Sequence, residues 1–332
     1  RGFFDFSMEG AMSGLTISMF RFVISNRIFL AFAFALVSLG LIGFGEGQGN
    51  QFEGVELSIE PVAGNVHMIQ RPGGGGNVGV SVGPDGVLLV DSLFAPLSDR
   101  LVDAVRQVTS GEIRFLVNTH IHPDHIGGNA PLAEQGVLIF AHDNTRLRFL
   151  SDLHSAYVGG RFGPPPAVGA RPVVTYNDEI RFHLNGEDIR AFLAPPAHTD
   201  GDSFVYFPES DVLHLGDVFR TTSYPIIDLY NGGTLAGTID ALELALEIAG
   251  PETKVIPGHG LSVVGRDEVR GFLDMILDVR GKVLQLIENQ VNLEGVLRAQ
   301  PAESYDAIWG QEPGWTAEDF VPIIYSELGG SG

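Results

Sequence analysis

Three imidazoles and one carboxylate fall within the six residues His120-Ile121-His122-Pro123-Asp124-His125, directly after the apolar run Ile113 to Val117. Residues of these types at this density suit a metal site. In an extended backbone residues i and i+2 point the same way, so His120 and His122 can converge on one ion. Pro123 supports this, because the residue before a proline is held out of the helical region, which keeps His122 extended. Asp124 and His125 sit where the chain turns into a short helix, roughly Asn129 to Gln135 with Gly136 as its stop, and so can face a second ion beside the first. Neutral imidazoles and carboxylates suit zinc and related divalent metals. A lone His-x-His reads as a hydrogen-bonded polar loop, whereas the full H-x-H-x-D-H reads as a ligand cluster.

This stretch resembles the first ligand motif of the metallo-β-lactamase superfamily. That family draws three further ligands from loops that follow strands, and three candidates are present. His198 comes after Ile189 to Leu193, Asp217 after Val212 to Leu215, and His259 after Lys254 to Ile256 in Pro257-Gly258-His259-Gly260. The resemblance, which covers roughly Glu60 to Gly265, implies that His120, His122 and His198 bind one metal and that Asp124, His125 and His259 bind another. Asp217 would bridge the two. It also implies two zinc ions, with other divalent metals possible, and a four-layer αβ/βα sandwich with a C-terminal helical extension from about residue 266. Asp91 is implied as a buried aspartate behind the metal loop.

The elements that must position these residues are legible in the pattern. Ala63 to Ile69, Gly79 to Val82 and Val87 to Val90 read as strands, and Pro84-Asp85-Gly86 as a hairpin turn. Between the first two lies Arg71-Pro72-Gly73-Gly74-Gly75-Gly76-Asn77, a mobile glycine-rich tip that in the family can close over substrate. Pro96 to Val108 reads as a helix, Val137 to Ala141 as a strand, and Asp143-Asn144 as the start of a helix through Leu153. This is βαβα alternation. Gly159 to Pro172 reads as a surface loop, either a lid or a tolerated insertion. Strands Ile180 to His183, Ile189 to Leu193, Ser203 to Phe207 and Val212 to Leu215 follow, then a helix from Leu235 to Ala249. Beyond Gly265 apolar residues recur at threes and fours from Val269 to Ile287, a long amphipathic helix. Shorter helices at Leu293 to Arg298 and Thr316 to Leu328 close a tail read as packing or a dimer contact. His67, His142, His154, His183 and His214 have no paired partner in the pattern and read as structural.

The formal charge of −21 at pH 7 repels phosphate backbones and excludes nucleic acid as an expected partner. No cysteine is present, which removes disulfides, thiolate nucleophiles and cysteine ligands. Arg21 and Arg27 precede the uncharged apolar run Ile28 to Phe44, the pattern of a secretory signal peptide or, uncleaved, a membrane anchor. Residues 1–50 are therefore expected to be targeting sequence with an unstructured flank, and 51–332 one hydrolase domain. The expected location is periplasmic or secreted, with membrane anchoring as the alternative.

The implied activity is hydrolysis of a small-molecule ester, lactone, thioester or lactam by a hydroxide between two zinc ions, with Asp124 orienting it. A β-lactamase-type lactam hydrolase and a periplasmic metal-binding accessory protein without turnover are the alternatives. Asp217 favours the branch of glyoxalase II, lactonases and esterases, since true β-lactamases usually lack a bridging aspartate. Tyr224 and Tyr230, close after Asp217, read as packing residues before carbonyl-assisting ones.

Overall fold

The strand Val87-Leu88-Leu89-Val90 sets the architecture, because all four of its side chains are buried. Alternate residues of a strand face opposite ways, so Leu88 and Val90 enter one core cluster while Val87 and Leu89 enter another. A strand covered on both faces needs a layer on each side. The computed structural model, which describes residues 52–157 and 159–330, has both.

One sheet has seven strands in the order β1 (Ser58–Ala63), β2 (Val66–Gln70), β3 (Val78–Ser81), β4 (Val87–Val90), β5 (Ile113–Val117), β6 (Leu138–His142) and β9 (Val174–Tyr176). Its first three pairings are antiparallel and its last three parallel. The second sheet has five strands, β10 (Glu179–Leu184), β11 (Glu187–Leu193), β12 (Ser203–Phe207), β13 (Val212–His214) and β14 (Lys254–Ile256), antiparallel except for the last pair. Met68, Val90 and Phe140 of the first sheet share a core with Phe182, Val205 and Ile256 of the second. On the outer face of the first sheet, helix Ser98–Arg106 packs Leu101 and Val105 in one cluster with Val80, Leu89 and Leu116. On the outer face of the second, helices Leu235–Ile248, Arg266–Glu288 and Ala317–Glu327 bring Leu242, Phe272, Ile276 and Phe320 to Phe204, Leu213 and Val255. The result is a four-layer αβ/βα sandwich with a C-terminal helical extension.

Two regions depart from the sequence reading. β1 carries Pro61 and lacks a clean alternation, and it is tolerated because it lies at a sheet edge. The helix expected to reach Leu153 stops at Arg148, with His142 rather than Asp143 as its cap. Leu147 and Leu150 are 60% and 52% exposed while Phe149 and Leu153 pack in one cluster with Ile121 and Ile126, so the four apolar residues do not share one buried helix face. The chain forms instead a hairpin of β7 (Leu153–Ser155) and β8 (Gly160–Gly163), which places a strand at the start of the expected loop. The expected targeting segment lies outside the described residues. Among the described residues no helix is long and apolar enough to cross a membrane.

Candidate metal centre

The loops that leave β4, β5, β11, β13 and β14 meet at one edge of the sandwich, and they carry all the candidate ligands. After β5, Asn118 N bonds Phe140 O at 2.9 Å and Asn118 Nδ2 bonds Asn129 Oδ1 at 3.1 Å, which anchors both ends of the H-x-H-x-D-H turn. His122 is extended (φ −71°, ψ 148°) and Pro123 starts the helical turn Pro123–Ile126. Asp202 accepts from the backbone N–H of His198 at 2.7 Å and from the Thr199 hydroxyl at 2.6 Å, so the His198 loop is closed on itself. Burial pushes the Asp202 carboxyl up to about 7.

His120, His122 and His198 form the first group, with one ring nitrogen of each within 4.8 Å of the others. His122 Nδ1 lies 2.7 Å from His198 Nε2. His120 Nε2 is buried without any hydrogen-bond partner. The outer nitrogens are all engaged: His120 Nδ1 with Thr119 Oγ1 at 2.9 Å, His122 Nε2 with Asp228 Oδ2 at 2.7 Å, and His198 Nδ1 with the Ile226 carbonyl at 2.5 Å. Anchoring one nitrogen on an oxygen turns the lone pair of the other inward. Burial also drives down the affinity of His198 for a proton, to a pKa of about 3, and lowers that of His120 well below its usual value. Neutral imidazoles with inward lone pairs are what a divalent cation binds.

Asp124, His125 and His259 form the second group. His259 Nε2 is 3.1 Å from Asp124 Oδ2, and His125 Nε2 is 3.4 Å from His259 Nε2. Asp217 stands between the groups: its Oδ1 is 3.1 Å from His125 Nε2, and its Oδ2 is 3.2 Å from His259 Nε2 and 3.8 Å from His198 Nε2. Burial alone would lower the proton affinity of His125, but Asp217, Asp124 and Asp91 raise it well above the ordinary value. Burial and Arg220 act the same way on His259, and Asp217 and Asp124 again outweigh them. This half of the site therefore draws positive charge. Two glycines make room for it. A Cβ on Gly258 would lie 2.2 Å from Asp217 Oδ1, and one on Gly76 would lie 2.7 Å from His125 Cε1. The Gly73–Gly76 tip is thus seated on His125 at its base, where Asn77 also bonds the Pro257 and Gly260 carbonyls at 2.9 and 3.0 Å.

Asp91 supports both groups from behind. It takes a left-handed φ of 70°, accepts from Thr119 N and Oγ1 at 2.7 Å each, and sits 2.7 Å from His125 Nδ1. The Thr119 hydroxyl, donating to Asp91, is left to accept from His120. Asp91 is therefore spent on orientation. The structure brings together all seven sequence-predicted ligands, and three other histidines have separate partners outside these groups: His142 and His214 bond the backbone N–H groups of Asn144 and Gly216, and His154 stacks on Tyr230. Tyr224 is buried, its hydroxyl bonding Ala302 O and Asp306, so packing is its role. Sequence reasoning missed Asp228 and Arg220. Neither stands in a spacing pattern, and only the fold reveals that they hold His122 and Asp217.

Residues 71–260, more than half of the 332-residue chain, match the family model of the metallo-beta-lactamase superfamily. Among curated relatives the chain is 25% identical over 229 residues to a linear primary-alkylsulfatase of Pseudomonas sp. (strain ATCC 19151), covering 59% of this chain and 43% of that one. It is 28% identical over 178 residues to the 2,4-dinitroanisole O-demethylase subunit alpha of Nocardioides sp. (strain JS1661), covering 52% and 49%. It is 24% identical over 176 residues to the type 2 metallo-beta-lactamase of Bacillus cereus, covering 53% and 63%. The chain thus spans only about half the length of these relatives. Its fold is similar to that of the stereoselective inverting sec-alkylsulfatase Pisa1 from Pseudomonas sp. (TM-score 0.60, 18% identity, 83% of this chain and 51% of that one). It is also similar to that of a metallo-beta-lactamase from Pontibacter korlensis (TM-score 0.52, 18% identity, 67% and 100%). The chain belongs to the metallo-β-lactamase superfamily.

Proposed function

We propose that this member of the superfamily is a metal-dependent hydrolase that holds two zinc-class divalent ions and cleaves a neutral ester or lactone. The observation that carries the reading is the set of anchored imidazoles around the unpartnered, buried His120 Nε2. His120, His122 and His198 would hold one ion, Asp124, His125 and His259 the other, and Asp217 would be shared. When bound, such ions supply a water acidic enough to deprotonate near neutral pH and polarise the bond under attack. The rest falls to the protein. Asp91, Asp228 and the Ile226 carbonyl keep the imidazoles in one tautomer. Asp124, whose side chain is 17% exposed and so reaches the open side of the site, is placed to orient the attacking water.

The surroundings of the site favour an uncharged substrate. Leu229 and Tyr230, 55% and 54% exposed, directly follow the Asp228 that holds His122, and Leu261, 58% exposed, lies two residues beyond His259. Three exposed apolar side chains thus stand within two residues of Asp228 and His259 in the chain. Arg148 is paired with Asp200 and Arg220 with Asp217, whereas Arg71, at the start of the glycine-rich tip, makes no ion pair among the described residues. The names of the relatives extend the range to sulfate esters and lactams, and a periplasmic or secreted location would follow from cleavage after the Ile28–Phe44 run. The test is a panel of chromogenic esters, lactones, cephalosporins and aryl sulfates, assayed before and after chelation. Ester or lactone turnover that chelation abolishes and zinc restores is the expected result, and full activity in metal-free protein would sink the mechanism.

A further inference from the structure

Arg220 is a buried cation that the ligand set does not explain. Its side chain is 4% exposed, and its Nη1 donates to Asp217 Oδ2 at 2.8 Å. Its Nε donates to Ser223 Oγ at 2.7 Å, and its Nη2 lies 3.8 Å from Glu312 Oε2. A buried guanidinium is tolerated only where its charge is compensated and its donors are occupied. Its backbone pairs with that of His259 through an isolated parallel bridge. Arg220 therefore touches one candidate ligand by side chain and another by main chain.

The segment Trp309–Trp315, which belongs to the C-terminal extension, runs alongside this stretch. Tyr224 N bonds Trp309 O at 2.8 Å, Gln311 N bonds Thr222 O at 3.3 Å, and Trp315 Nε1 bonds Pro225 O at 3.2 Å, while Ser223 and Gly310 form an antiparallel bridge. These contacts fix Glu312 opposite Arg220. A carboxylate turns readily about its last side-chain torsion, which is broad and two-fold, so a ligand such as Asp217 needs a partner to set its plane.

We propose that Arg220 is a positioning residue for Asp217, held in place by the C-terminal extension through Glu312, and that uptake of the second metal ion depends on it. The inference rests on reading Asp217 as a ligand. The guanidinium occupies one lone pair of Oδ2 and leaves Oδ1 turned toward His125, so Asp217 faces the Asp124–His125–His259 group in a single orientation. Groups that orient a metal ligand from behind typically change metal affinity by about 10- to 100-fold when removed. The first group is anchored by Thr119, Asp228 and Ile226 and meets Asp217 only at 3.8 Å from His198 Nε2, so it depends on Arg220 less than the second does.

The experiment is a titration of the metal-stripped full-length chain with Co(II), followed by its visible absorption and by bound-metal analysis, together with melting curves of the metal-free proteins. Wild type is compared with Arg220→Met, Arg220→Lys and Glu312→Gln. Arg220→Met is expected to bind the second ion about 10- to 100-fold more weakly and to lose less affinity for the first, so that the ratio of the two affinities widens. Arg220→Lys should recover part of this, and Glu312→Gln should show a smaller loss in the same direction. A role confined to packing would lower the melting temperature and leave the ratio of the two affinities unchanged, which overturns the proposal. If Arg220→Met fails to fold, Arg220→Lys and Glu312→Gln decide, and unchanged second-ion affinity in both overturns it. Wild type that takes up fewer than two ions refutes the two-metal reading itself, and this inference with it.

Discussion

The carboxylate of Asp228 lies 2.7 Å from Nε2 of His122, across 106 residues of chain. Asp228 also accepts from Asn231 Nδ2 at 2.7 Å and from Tyr230 N at 3.0 Å, so it is itself immobilised. Asp228→Ala removes the group that fixes the His122 tautomer. The expected outcome is a 10- to 100-fold weaker first ion, with a matching drop in kcat. Competition with a chromophoric chelator measures the affinity, and an unchanged value would remove Asp228 from the site.

Asp217 and His214 lie three residues apart and make opposite predictions. Asp217→Ala deletes a carboxylate within 3.2 Å of two imidazoles, and should lose or weaken one ion and reduce turnover by at least about 10²-fold. His214→Ala leaves Gly216 N without its acceptor and should cost about 1–3 kcal/mol of stability while both ions stay bound. Metal content and kcat of both variants check this, and the reverse pattern would refute the ligand assignment.

His214 also gives a pH dependence. Burial pushes its pKa down from 6.5 to about 4 in the folded chain. The folded value lies below the unfolded one, so the unfolded chain takes up the proton first as the pH falls. Stability from the neutral ring is therefore complete above pH ~6.5 and is lost progressively toward pH ~4, by about 3 kcal/mol in all. Urea melts of metal-free wild type and His214→Gln across this window should diverge with that slope; parallel curves would show that His214 titrates normally.

The exposed Leu229, Tyr230 and Leu261 predict a preference for longer acyl chains. A buried methylene is worth about 0.8 kcal/mol, so kcat/KM should rise roughly twofold to fourfold per added carbon until the apolar surface is covered. The series from p-nitrophenyl acetate to octanoate measures the rise. A flat series would show that these side chains do not meet the substrate.

Local pattern carried the first half of the site, because His120, His122, Asp124 and His125 are neighbours whose spacing already encodes convergence. His198, Asp217 and His259 were reached only through the family resemblance, since nothing in a lone histidine at the end of a strand separates a ligand from the capping His142. Strands with both faces buried, such as Val87 to Val90, were legible for the same reason as the motif: the information is short-range. Arg220 and Asp228 were illegible because their roles exist only across the fold. The β7–β8 hairpin is hidden in the sequence because its glycines read as a loop and the apolar spacing from Leu147 to Leu153 reads as a helix.

Each half of the centre draws on both sheets: His122 follows β5 and its neighbour His198 follows β11, while His125 and His259 approach from opposite sheets in the same way. An ion shared by such a pair is a seam stitched across the open edge of the sandwich, and its binding energy becomes folding energy. Metal starvation would then do more than silence the centre. It would let the two sheets part at that edge, so amides at the ends of β5 and β11 should exchange with solvent sooner than those at the far ends of the same strands, and the gap should close when metal returns.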